Sequence, residues 1–88
     1  MWNYRIVRRK CSDGDKYGIH EAYYNEDGSI WAISEQPCTP LGETKKGLLN
    51  DLSMMTASII KPVLDYNMKF APNTKLDERI TEKDKEAP

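Results

Sequence analysis

The chain contains no apolar run near the roughly 20 residues that a membrane-spanning helix needs, so no membrane partner is expected. Soft metal ligands are scarce: two cysteines and one histidine. Cys11, His20 and Cys38 fall one ligand short of a closed zinc site unless a carboxylate joins them. Neither C-x-x-C nor H-x-x-x-H spacing occurs, so no metal is expected. A charge excess is lacking too. Thirteen Lys and Arg stand against fourteen Asp and Glu, a formal net charge of -1, which argues against a chain built wholly for electrostatic attachment to nucleic acid. The start, Trp2-Asn3-Tyr4-Arg5, has no apolar core of the signal-peptide kind. The expected location is therefore the cytoplasm, where both thiols stay reduced. If the first and third strands lay side by side, the cysteines would meet in oxidised material. No catalytic or cofactor motif stands in the sequence. Cys38 with His20 would need close approach, a depressed thiol pKa and an oxyanion hole to act as a nucleophile pair, and nothing in the residue pattern supplies these. No enzyme activity and no cofactor are expected.

What the sequence does have is aromatic, β-prone alternation. Trp2–Lys10 alternates with Trp2, Tyr4 and Ile6 on one side and Asn3, Arg5, Val7 and Arg9 on the other, the pattern of a first strand. Cys11–Lys16 is polar with an Asp-Gly and reads as a turn. Tyr17–Glu35 then reads as a hairpin around Asn25-Glu26-Asp27-Gly28, with Gly28 at a left-handed position and Asn25 facing Ser29. In that register Tyr24 pairs with Ile30, Tyr23 with Trp31, Ala22 with Ala32 and Glu21 with Ile33. One face carries Tyr17, Ile19, Tyr23, Trp31 and Ile33, and the other Ala22, Tyr24, Ile30 and Ala32. Two prolines and a glycine mark 35–42 as a loop. Thr44 is a helix N-cap, and Leu48, Leu52, Met55 and Ile59 form one helical stripe widened by Leu49 and Ile60, with Pro62 as the stop. Gly47 in the first turn costs about 1 kcal/mol relative to Ala. Leu64, Tyr66, Met68 and Phe70 alternate with polar residues, which suits a fourth strand, an extended arm or a partner-binding segment. The expected fold class is α+β: a three-stranded antiparallel β-meander, one helix from about Thr44 to Ile60 on one face, and a fourth strand left open. Residues 1–70 form the domain. Residues 71–88 read as a charged, flexible tail, because two large apolar side chains rarely offset the ordering of a dozen residues.

At Trp2-Asn3-Tyr4-Arg5-Ile6, Tyr17-Gly18-Ile19-His20-Glu21-Ala22-Tyr23-Tyr24, Asp27-Gly28, Gly42-Glu43-Thr44 and Lys61-Pro62-Val63-Leu64-Asp65, the chain resembles a set of short uncharacterised bacterial proteins. The resemblance spans roughly residues 2–66 and implies no activity. In element order the chain is also similar to the small domain of HicB-type antitoxins, a likeness of topology that carries no function.

Because one helix covers only one face, the sheet is expected to expose an aromatic surface that needs a partner. The residues expected to form it are Tyr17, Ile19, Glu21, Tyr23, Trp31 and Ile33, with Trp2 and Tyr4 as contributors. Glu21, a charge among apolar neighbours, calls for an arginine (Arg5 is a candidate) or for a place at a binding surface. The expected function is a small non-enzymatic interaction or regulatory protein of antitoxin or inhibitor type, binding a second copy or another protein. The alternative is a single-stranded nucleic-acid binder using Arg5, Arg8 and Arg9 with the sheet aromatics.

Overall fold

The computed structural model describes residues 1–74; of the flexible tail expected over 71–88, residues 75–88 lie outside them. Strand β1 (Trp2–Cys11) and strand β2 (Gly14–Tyr24) pair antiparallel along their whole shared length, from Trp2 opposite Tyr23 to Cys11 opposite Gly14. Their connection is only Ser12-Asp13, with Gly14 at φ +122°, a conformation that favours glycine. The polar stretch expected to be a six-residue turn thus belongs mostly to the strands. At a solvated hairpin end, ladder pairing rather than an apolar face fixes strand length.

Strand β3 (Ile30–Ile33) follows the turn anticipated at 25–29. The Asn25 N–H donates to Ser29 O at 2.8 Å, the Gly28 N–H to Asn25 O at 3.0 Å, and Gly28 sits at φ +88°. Tyr24 pairs with Ile30 as expected, but the register then shifts: Tyr23 lies opposite Ala32 and Ala22 opposite Ile33. Trp31 is the extra residue of a bulge. A one-residue slip moves every following side chain to the other face, so Ala32 joins Tyr23, and Ile33 departs to the face of Ala22 and Tyr24.

Strand β4 (Leu64–Asp65) pairs parallel to β1 at Val7 and Arg8, giving the order β3-β2-β1-β4. The protein is α+β, but the sheet is four-stranded and mixed rather than a three-stranded antiparallel meander. Because β2 separates β1 from β3, the two cysteines do not meet across adjacent strands, and both are free thiols.

Helix α1 (Lys45–Ala57) begins at the expected cap: Thr44 is extended (φ -130°, ψ 164°) and its hydroxyl accepts from the Gly47 N–H at 3.0 Å. Gly42 packs so tightly that a Cβ there would overlap the backbone of Gly47 and Leu48. At the other end the coil tightens into a single 3₁₀ turn (Ser58–Ile60), where the buried Ser58 hydroxyl donates to Met55 O at 2.6 Å. The helix expected to reach Ile60 as one α segment therefore stops at Ala57. Of its apolar stripe only Met55, 4% exposed, is buried.

Each side of the sheet is covered by the chain itself. On the helix face stand Trp2, Tyr4, Ile6 and Arg8 of β1 with Tyr17, Ile19, Glu21 and Tyr23 of β2; there α1 approaches, and the Tyr4 hydroxyl donates to Asp51 Oδ1 at 2.6 Å. The opposite face carries Arg5, Val7, Arg9, His20, Ala22 and Tyr24, and residues 62–74 cross it as a strap. Arg5 donates to Pro62 O at 2.7 Å, and the Ala71 N–H donates to Ile30 O at 2.9 Å. Asn25 donates to Pro72 O at 2.8 Å and accepts from the Thr74 N–H at 3.2 Å. Beneath the strap Val7 and Ala22 are fully buried. Residues 71, 72 and 74 are thus hydrogen-bonded to Ile30 and Asn25. On the helix face the aromatic side chains that stay exposed are Trp2 and Tyr17.

Candidate interaction surface

The alternation of β2 places Tyr17, Ile19, Glu21 and Tyr23 on one side, and Trp31, though displaced from the ladder by the bulge, still meets Tyr23, with ring centroids 5.6 Å apart at an interplanar angle of 34°. Ile33 does not join this group, because the same bulge turns it to the strap face. Five of the six expected surface residues thus share a face. They divide into two regions, Tyr17 and Ile19 beside the 3₁₀ turn and the 34–41 loop, and Glu21, Tyr23 and Trp31 towards the β1 N-terminus.

The first region is an apolar groove of about 490 Å³ between α1 and the sheet. Ile6 and Ile19 form its floor, Pro37 and Pro40 one wall, and Leu52, Met55 and Ile59 the other, with Tyr17 at the rim. The loop is held there because the Cys38 N–H donates to Ile19 O at 2.7 Å, continuing the edge that β3 leaves open. Its rim is poorly covered: Tyr17 is 63% exposed and Ile59 70%. Ile60 and Val63 continue this apolar exposure along the chain. The apolar surplus expected of the sheet therefore lies on the helix and its 3₁₀ extension. Helical periodicity marked Leu52 and Ile59, but as cover for the sheet. No local signal tells a stripe that is buried from one that is half-buried.

The second region lies near the β1 N-terminus. Trp2 and Tyr4 pack edge to face, centroids 5.1 Å apart at 84°, opposite Tyr23 and Glu21 respectively. The Cys38 thiol points at Glu21 Oε2, 3.7 Å away. The Arg5 partner expected for Glu21 does not exist, since Arg5 projects from the other face and donates to the Tyr24 hydroxyl at 2.9 Å. Among the described residues the ion pairs are Arg8–Asp65 and Lys16–Asp13, and neither involves Glu21. Asp51 accepts from the Tyr4 hydroxyl and, at 2.9 Å, from the Leu41 N–H. Those bonds hold its carboxyl below the usual range. The same hydrogen bond, then burial, pushes the Tyr4 phenol far above its ordinary value. Burial and then the nearby charge of Glu21 raise the Tyr23 phenol as well.

The three arginines of the nucleic-acid alternative are dispersed. Arg5 is buried under the strap. Arg8 makes a two-pronged contact with Asp65 Oδ1 at 2.9 and 2.7 Å. The Arg9 guanidinium sits 4.2 Å above the Tyr66 ring centroid, a cation–π contact. Only Arg8 shares a face with the aromatic cluster. His20 and Cys38 are not in contact as a nucleophile pair: the His20 Nδ1 approaches Ser34 O at 2.9 Å, and the Ser34 hydroxyl stands between ring and thiol. No group of three or more His, Cys, Asp and Glu among the described residues is placed to hold a metal. No helix among them is long and apolar enough to cross a membrane. Compared with family models, curated proteins and solved structures, the chain matches none.

Proposed function

We propose that this protein is a small, non-enzymatic interaction module that associates with a second copy of itself through the groove between α1 and β2. The observation that carries the reading is the exposure of Tyr17 and Ile59 around a groove floored by Ile6 and Ile19. A monomer rarely leaves so many large side chains contiguous and wet, and such patches mark association surfaces. Self-association about a twofold axis places the same rim on both partners, so that Tyr17 and Ile59 of one copy meet the groove of the other. Of the hairpin residues, Tyr17 and Ile19 line this groove, whereas Tyr23 and Trp31 lie outside it. Multi-angle scattering of the wild-type chain and of Ile59→Ser tests this. The wild type is expected to gain mass with concentration, and the variant to remain monomeric with an unchanged helix signal. A monomeric wild type refutes the self-association.

A further inference from the structure

We propose that the aromatic end of the helix face, separate from the groove, binds a methylated ammonium group. Four rings gather there on three strands. Trp2 and Tyr4 come from β1, Tyr23 from β2 and Trp31 from the β3 bulge, paired at centroid distances of 5.1 and 5.6 Å. Trp2 remains 42% exposed, and Tyr23 and Trp31 are half-buried.

Within this aromatic neighbourhood stand two carboxyl groups. Glu21 lies opposite Tyr4 and next but one to Tyr23 on the same strand, and Asp51 is bonded to the Tyr4 hydroxyl. Neither has a basic partner among the described residues. Ring faces are negative and attract cations, Trp most strongly. Carboxylates beside aromatic rings, unmatched by lysine or arginine, therefore complement a ligand that is both positive and greasy. A methylated ammonium is such a group, because its methyls pack on rings while its spread charge needs no directional hydrogen bonds. A guanidinium or a bare ammonium suits the place less well: Glu21 Oε2 already faces the Cys38 thiol, and both Asp51 oxygens already accept hydrogen bonds. The register shift at the bulge sets Ala32 opposite Tyr23 and moves Ile33 to the strap face.

The site is tested with the full chain by following tryptophan fluorescence during titration with choline, with a peptide carrying trimethyllysine, and with 3,3-dimethylbutanol, the uncharged isostere of choline. The cations are expected to give saturable changes, with the alcohol weaker by about tenfold or more. Glu21→Gln is expected to weaken the cations by about fivefold without altering the alcohol, and Trp31→Leu to abolish saturation while the far-ultraviolet dichroism stays native. Whichever of peptide and choline binds tighter identifies the source of the ammonium, and either order supports the site. Equal response to cation and alcohol, or an unaltered Glu21→Gln titration, overturns the proposal. Scattering on the same samples reports self-association independently, so failure of one reading is distinguishable from failure of the other.

Discussion

Replacing Asn25 tests whether the strap face is sealed from within. The residue is buried at the start of the β2–β3 turn, and its side-chain amide joins that turn to the strap. Its Nδ2 donates to Ser29 Oγ at 3.0 Å and to Pro72 O at 2.8 Å, while its Oδ1 accepts from the Thr74 N–H at 3.2 Å and hydroxyl at 3.3 Å. Each such bond is worth about 0.5–1.5 kcal/mol net. The two to Thr74 are long and belong at the low end, and freeing residues 72–74 returns some conformational entropy. Asn25→Ala should therefore cost about 2–3 kcal/mol. For a domain of this size that lowers Tm by very roughly 10–20 °C. No described non-glycine residue has a positive φ, so alanine introduces no backbone strain at this position. Asn25→Asp separates the donor from the acceptor role: a carboxylate still accepts from Thr74 but repels the Pro72 carbonyl, and acidification through the carboxylate range should restore much of the loss. The assays are urea unfolding and amide hydrogen exchange read at Ala71, whose N–H is bonded to Ile30 O. A stability change within about 0.5 kcal/mol, typical of an ordinary surface substitution, together with unchanged exchange at Ala71, would refute the idea that Asn25 pins the strap.

Three further outcomes are expected. The Tyr4–Asp51 hydrogen bond depresses the Asp51 carboxyl and raises the Tyr4 phenol. Its contribution should be present at neutral pH, fade as pH falls through the lowered carboxyl range, and fade again as pH rises beyond about 10, the ordinary tyrosine value; Tyr4→Phe should flatten both edges of the unfolding free energy plotted against pH. Gly42→Ala forces a methyl into the backbone of the first helical turn and should destabilise by about 1–3 kcal/mol, as overpacking does, with the loss visible in faster exchange of the Gly47 and Leu48 amides. Val7→Ala removes two methyls from a fully buried side chain and should cost about 2–3 kcal/mol in urea titrations, transfer and cavity together.

Where chemistry is local, the sequence carried it. The Asn25–Ser29 turn follows from one glycine able to take φ +88° and one asparagine at the turn's start. The Thr44 cap follows from a hydroxyl placed to meet an orphan amide. The bulge at Trp31 left no such trace. Trp31 and Ile33 look like an ordinary alternating pair, and only the ladder on β2 decides that Trp31 is the extra residue. That slip explains why one of the six expected surface residues is on the wrong face. The strap is a subtler case. Leu64, Tyr66, Met68 and Phe70 are each half-buried and the residues between them exposed, so the period of two was sound. An extended segment lying across a sheet obeys the same period as a strand within one, and only Leu64–Asp65 enters the ladder. Glu21 could be recognised as out of place, but its lack of an arginine partner depends on Arg5 being an odd residue of β1 set opposite an even residue of β2, His20. Strand parity alone does not specify that pairing.

The most direct test of the account is sedimentation equilibrium across a broad concentration range, comparing the wild type with Tyr17→Ser, Ile59→Ser and the strap-face control Asn67→Ser. The wild type and the control are expected to associate reversibly and equally, while both groove variants stay monomeric with native melting curves. A wild-type chain that remains monomeric at every concentration, or groove variants that associate as well as the control, would contradict it.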